Sequence, residues 1–292
     1  MFGDDVLEFA GSVGDSIGVS SDVVLAILCV IFVLVLIVLI VLLNTLLAKF
    51  NVTQFDPRDS KCIVIAGPSV RNDEEAPGKT TLFFLLKNKC IPKYGIVSSL
   101  DTSEAVVLSP VWKLDHSTSV PITVIDVPGA PSAQVELEKA LAKASAVIFV
   151  IDSRKSSFDA HRRDYARVLY NILTHSVVSQ WGTPTLLLCN KQDAKDALVP
   201  SKIQTALEQE LQRERASRQS ALKEISDNET LHSQSVDVPA SLGFADEVFE
   251  MSHVNGPVEC VGCSLKNNQL EPIYTFVLSH VVTNLSSMKK NK

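Results

Sequence analysis

Two apolar regimes are written along the chain. The first is one continuous run, Val23 to Leu43, in which all 21 positions are apolar. A helix needs about 20 such residues to cross the hydrocarbon core of a bilayer, so 23–43 predicts a transmembrane helix. Lipid offers no other partner for the backbone of a lone span, which keeps even this Val- and Ile-rich run helical. A cleaved signal peptide fits poorly, because no basic segment precedes the run and no small-x-small site follows it. The second regime begins after a short linker, 44–60, and alternates compact apolar strands with helix-period segments.

In that second region Lys61–Ala66 is a compact apolar strand, and Thr80–Asn88 reads as a helix. Ala105–Trp112 and Pro121–Asp126 are strand-like, and Ala146–Asp152 is a buried strand. A long amphipathic helix is expected from Phe158 to Ser179, then a strand over Thr185–Cys189 and a helix from Ser201 to Arg218. Gly256–Val261 is a last strand and Leu270–Thr283 a closing helix. Short apolar strands separated by helices predict an α/β fold, a mostly parallel six-stranded sheet covered on both faces. The pattern fails between 218 and 245, which is rich in Ser, Asp, Glu and Gln and reads as a polar surface insertion.

Charge orients the first segment. The 22 residues before the apolar run hold Asp4, Asp5, Glu8, Asp15 and Asp22 but no Lys or Arg, whereas Lys49, Arg58 and Lys61 follow it. The positive-inside rule puts the C-terminal side in the cytosol and leaves a short lumenal tail, 1–22. The sequons at Asn51, Asn228 and Asn284 then lie on the side without glycosylation. A net charge of −6 argues against direct nucleic-acid binding through a basic surface. The six cysteines are scattered as in a reducing compartment, and Cys260-Val-Gly-Cys263, with no second pair or nearby His, reads as chance spacing. The six histidines do not cluster at ligand spacing.

Four motifs carry chemistry. Gly67 closes the first strand, and Gly78-Lys79-Thr80-Thr81 opens the first helix. A strand leading to Gly-Lys-Thr at a helix start is a P-loop arrangement: backbone N–H groups cradle phosphates, Lys79 reaches the β- and γ-phosphates, and the Thr80 hydroxyl ligates Mg²⁺. The usual spacing leaves four residues between the glycines; this chain has ten, including Asp73, Glu74 and Glu75. That leaves three readings: the extra six residues bulge outward, the loop has lost its phosphate, or a splice junction has added six codons. The second motif, Asp126-Val-Pro-Gly129, offers a carboxylate toward Mg²⁺ and the Gly129 N–H toward a γ-phosphate. The third is Asn190-Lys191-Gln192-Asp193, where the Asp193 carboxylate can accept from both the N1–H and the 2-amino group of guanine, which adenine cannot match. The fourth, Cys263-Ser264-Leu265-Lys266, offers backbone N–H groups to the guanine oxygen and a lysine stem beside the base.

In this order the motifs resemble those of the Ras-like P-loop GTPases, and the Asp-x-Pro-Gly and Asn-Lys-Gln-Asp wording is similar to the Arf/Sar branch. With the N-terminal span added, the chain resembles the β-subunit of the eukaryotic signal recognition particle receptor over nearly its whole length. That resemblance implies a cytosolic GTPase domain over 61–285, a tail over 286–292, and an endoplasmic-reticulum membrane anchored by lipid contacts of 23–43. It implies GTP and Mg²⁺ as ligands and the receptor α-subunit, through its N-terminal domain, as partner. Through α it implies indirect engagement of ribosomes carrying signal recognition particle, in cotranslational targeting. Metal contacts would come from Thr80, Asp126 and a switch hydroxyl; the resemblance suggests Ser98, with Ser99 and Thr102 open. Ala130 stands where the family usually has His and Ras-like enzymes Gln, so intrinsic hydrolysis should be weak or absent. The rival readings are a nucleotide-free scaffold, favoured by the expanded loop and Ala130, and an Arf/Sar-type trafficking GTPase, disfavoured by the full span. A P-loop ATPase is disfavoured by Asp193.

Overall fold

The computed structural model describes residues 26–27, 30, 33–41, 60–70, 76–92, 99, 101–115, 118–228, 242–244 and 247–283. The chain divides into two units, 1–55 and 56–292. In the first, residues 26–27, 30 and 33–41 are helical and exposed. No helix among the described residues is long and apolar enough to cross a membrane. Much of 23–43, and all of the 44–60 linker except Ser60, lies outside them.

The second unit holds a six-stranded sheet in the order β2-β3-β1-β4-β5-β6. Its strands are β1 Cys62–Ala66, β2 Ser103–Asp115, β3 Thr118–Asp126, β4 Ala146–Asp152, β5 Thr185–Asn190 and β6 Val258–Gly262. β2 runs antiparallel to β3, and every other pairing is parallel. The helices are α1 Lys79–Asn88, α2 Gln134–Leu141, α3 Lys155–Leu173, α4 Ser176–Trp181, α5 Pro200–Asn228 and α6 Glu271–Val277.

β4 shows why the sheet needs helices on both faces, since all seven of its residues are buried. Val147, Phe149 and Ile151 point into one core with Leu137 of α2, Tyr165 and Leu169 of α3, and Ile203, Leu207 and Leu211 of α5. Ala146, Ile148 and Val150 point into the other, with Leu82 and Leu86 of α1 and Ile273 and Phe276 of α6. The period-two alternation of the strand thus feeds two cores at once. The parallel strands all end at the same edge, where ligands of open α/β sheets bind.

Several expectations are corrected. The helix expected over Phe158–Ser179 is two: Thr174 donates its hydroxyl back to the Tyr170 carbonyl at 2.8 Å, and His175 turns extended at φ −60, ψ 133 before α4. The helix expected to stop at Arg218 runs to Asn228, ten residues into the stretch read as a surface insertion. Arg218 is held there by Glu214, by Asn171 and by the Tyr170 ring, 4.2 Å from the guanidinium. Residues 229–241 of that stretch lie outside the described residues, but its far end is tied down: Arg215, 3% exposed, donates to the carbonyls of Leu242, Phe244 and Glu247. Helix α2 was not foreseen.

Candidate nucleotide site

A cleft of about 520 Å³ opens at the carboxyl edge of the sheet. Its walls are the loop after β1, the start of α1, the loop after β3, and the loops after β5 and β6.

The phosphate side is built around Gly78 and Lys79. Gly78 precedes α1 at φ 100, and a Cβ there would lie 2.6 Å from the Asn190 amide nitrogen. Only glycine fits that left-handed, crowded position. Lys79 is 9% exposed, and its Nζ donates to the carbonyls of Gly67 and Pro68 at 3.0 Å each. Burial pulls its pKa down to about 8, against the opposing pull of the Asp126 charge. The first turn of α1 leaves N–H groups free of helical partners, which favours an anion. Gly78, Lys79, Thr80 and Thr81 all line the cleft; Gly67 does not, and meets it only through the bond its carbonyl accepts from Lys79.

Asp126 ends β3 with no exposed surface. Its Oδ2 accepts from Thr80 Oγ1 at 2.9 Å and from Ser99 Oγ at 3.2 Å, and the two hydroxyls are 2.8 Å apart. Its Oδ1 is buried and has no partner among the described residues. Burial raises its pKa, opposed by Thr80, Lys79 and Ser99 in that order. Three oxygen ligands beside an orphaned carboxylate oxygen are the donor set of a hard cation such as Mg²⁺, and the residues fit that ion. The hydroxyl in this cluster is Ser99; Ser98 lies outside the described residues.

Gly129 follows, pressed against the loop after β1. Ser69 donates its N–H to the Gly129 carbonyl at 3.1 Å, and a Cβ on Gly129 would lie 2.3 Å from that same nitrogen. Ala130 does not line the cleft; it faces a second hollow between this loop, α2 and α3.

The base side comes from the last two strands. Asn190 donates to the Pro77 carbonyl at 2.9 Å and accepts from the Leu265 N–H at 3.0 Å. Lys191 and Asp193 line the cleft, as do Leu265 and Lys266. Ser264 donates to Asp193 Oδ1 at 2.6 Å, the main reason the Asp193 pKa lies below the ordinary carboxylate value. Lys266 lies 3.9 Å from Asp193 Oδ2. The Cys-x-x-Cys pair is split: Cys260 packs with one core and Cys263 with the other. Among the described residues no cluster of His, Cys, Asp and Glu could hold a metal by those side chains alone.

Arg154 and Ala194, which the sequence did not single out, also line this cleft, and Asp152 stands behind Arg154. A charged pair at the end of β4, Asp152-Ser-Arg154, was the available signal.

A family model for the signal recognition particle receptor beta subunit matches residues 58–258. The chain belongs to that family. It is 32% identical to the Mus musculus receptor subunit beta over 162 residues, 55% of this chain and 57% of the relative. It is 32% identical to the Homo sapiens subunit over 194 residues, 66% of this chain and 65% of the relative. It therefore spans less than two thirds of the length of these curated relatives. Among solved structures, the mammalian signal recognition particle receptor superposes with a TM-score of 0.59 at 27% identity, covering 75% of this chain and 98% of that one. The SRb-GTP/SRX complex from Chaetomium thermophilum superposes at 0.55 with 18% identity, again covering 75% of this chain and 98% of that one, and shows the shared fold.

Proposed function

We propose that this chain is a GTP-gated membrane anchor, the β-subunit that holds the receptor α-subunit at the endoplasmic reticulum for cotranslational targeting. The observation that carries it is the convergence in one cleft of a buried lysine at a helix N-terminus, the Thr80–Asp126 pair and the Asp193 carboxylate. Lys79 and the α1 N-terminus would take the phosphates, and Asn190, Lys191, Asp193, Ser264, Leu265 and Lys266 the guanine. Thr80 and Asp126, with Ser99 or Ser98, would hold Mg²⁺, which when bound neutralises phosphate charge. Val70 and Ala76, on either side of the extra loop residues, both line the cleft while Gly78-Lys79-Thr80 keeps its place at the start of α1. Residues 71–75 of the expanded loop lie outside the described residues.

Related structures carry titles naming GTP, GDP-Mg and an SRX partner. Family membership supports a guanine nucleotide and a receptor α partner for this chain as well, and the apolar run 23–43 would supply the anchor. Hydrolysis has no part in holding α: Ala130 can orient no water, so the nucleotide acts as a clamp that orders loops.

The test is titration of the full chain in detergent with fluorescent GTP, GDP and ATP in the presence of Mg²⁺. Guanine-selective binding that disappears in Lys79→Ala is the expected result. Absence of binding would leave the nucleotide-free scaffold as the reading.

A further inference from the structure

Asp152 closes β4 with no exposed surface and does not itself line the cleft, yet both cations that rest on it do. Its Oδ2 accepts from Lys191 Nζ at 2.9 Å and from Arg154 Nη2 at 2.7 Å. Arg154 Nε reaches both carboxylate oxygens at 3.2 Å, and the Arg154 N–H donates to Oδ1 at 3.0 Å. From below, the Asp152 N–H donates to the Tyr165 phenol oxygen at 3.0 Å, and that ring is wholly buried against Phe149 and Phe158. Arg154 and Lys191 therefore hold the carboxylate, while Tyr165 pins the backbone N–H of the same residue. Its pKa stays below the ordinary value although burial alone would raise it, because Arg154 and Lys191 hold the charged form.

Lys191 needs such a hold. It sits at φ 66, left-handed backbone that costs a non-glycine residue about 1–2 kcal/mol. The rest of the loop is stitched to the same turn. Ser153 donates to the Asn190 carbonyl at 2.9 Å, Lys155 to that of Asp196 at 3.1 Å, and Leu198 to that of Ser153 at 2.7 Å.

We infer that Asp152 is a positioning residue for the nucleotide: it fixes the Lys191 ammonium and so lays that side chain along the base side of the cleft, with Arg154 holding the carboxylate in place. The inference rests on the proposed nucleotide reading. Asp152 does not line the cleft; on this inference its influence on nucleotide passes through Lys191, and Arg154, although it also lines the cleft, serves only to hold the carboxylate.

That predicts a specific failure of additivity. The full chain in detergent is loaded with fluorescent GDP, and release is followed for the wild type, Asp152→Asn, Lys191→Met and the double variant. Each single variant should release about tenfold faster, the size expected for losing a hydrogen bond to a charged group. The double variant should release no faster than Lys191→Met alone. A purely structural Asp152 would lower the melting temperature and multiply the release rate in both backgrounds, which would overturn the inference, as would unchanged release in Asp152→Asn. Should Asp152→Asn not fold, Tyr165→Phe loosens the same residue by removing the oxygen that accepts the Asp152 N–H. Faster release with Lys191 intact, but not in Lys191→Met, supports the inference; equal acceleration in both overturns it. Failure of the wild type to load any guanine nucleotide would instead sink the functional reading itself, and this inference with it.

Discussion

The side-chain amide of Asn190 donates to the Pro77 carbonyl at 2.9 Å, joining the end of β5 to the loop before α1 across 113 positions of sequence. The same side chain accepts the Leu265 N–H at 3.0 Å. One buried amide thus ties the loop before α1 to the paired ends of β5 and β6. Asn190→Ala leaves a buried carbonyl and a buried N–H unpaired, a loss of about 2–5 kcal/mol in folding stability. Urea unfolding should show it, and guanine nucleotide binding should weaken in parallel because the phosphate and base loops no longer share a fixed separation.

Gly129→Ala tests the contact between the loops after β1 and β3. The added methyl would meet Ser69 N at 2.3 Å and the Gly67 carbonyl oxygen at 2.5 Å, both backbone atoms that cannot swing aside. One loop must move, which breaks the Ser69 to Gly129 hydrogen bond. The expected cost is about 2–3 kcal/mol of stability, on the scale of overpacking plus one hydrogen bond. Chemical denaturation reads the first effect. The ratio of GTP to GDP affinity reads the second, since only the γ-phosphate would meet the displaced loop, and that ratio should fall.

Much of this site was legible in sequence because its groups must follow strands. Asp126, Asn190 and Lys79 sit at strand ends or a helix start, where an apolar run gives way to a polar motif. The strands were legible for the same reason, since β4 has no polar residue before Asp152. What stayed hidden depends on partners distant in sequence. The polar stretch beyond Arg218 offers no apolar stripe, yet it continues α5, anchored in part by the Tyr170 ring and Asn171. That Ser99 reaches Thr80 and Asp126 depends on where the backbone carries it, which period and composition do not encode. Arg154 looks like a solvated charge until Asp152 is seen beneath it.

Arg215 gives a stability prediction away from the cleft. Its buried guanidinium is shared among three backbone carbonyls of the segment that returns toward β6, and Gln212 accepts a fourth bond at 2.8 Å. Arg215→Met keeps the stem but strands those carbonyls. The chain around 242–250 should detach and become the first site of limited proteolysis, with about 2–4 kcal/mol lost overall. Nucleotide binding should change little, because no described residue of that segment lines the cleft.

Under the proposed function, base selection falls to Asp193. Its carboxylate is an acceptor on both oxygens, with Ser264 occupying one side of Oδ1 at 2.6 Å. Asp193→Asn replaces one acceptor with a donor, which mismatches the guanine 2-amino group and matches the 2-oxo group of xanthine. Affinity for GTP should drop by about a hundredfold or more, since a site built to pair a polar edge strongly rejects an unmatched one. Affinity for XTP should rise, and competition titration measures both.

The buried Lys79 makes nucleotide binding pH-dependent with a definite sign. Its pKa in the free protein is about 8 against an ordinary 10.5, because burial disfavours the ammonium. Between those two values the unfolded chain carries more protons than the folded one, so this group's penalty is fully present below pH 8 and is relieved as pH rises toward 10.5. A bound polyphosphate reverses the local balance, since a polyanion restores the ammonium and lifts its pKa. Binding then takes up a proton wherever free Lys79 is neutral. From pH 7 to pH 9 the affinity for GDP should fall by about tenfold, the ratio set by a group titrating near 8 in the free state only. Isothermal titration in two buffers of different ionisation enthalpy should detect proton uptake at pH 9 and almost none at pH 7. Lys79→Met should bind weakly at both values without that uptake, which separates the lysine from ionisation of the guanine itself. A GDP affinity in the wild type as flat as in Lys79→Met would mean that Lys79 never meets the phosphates.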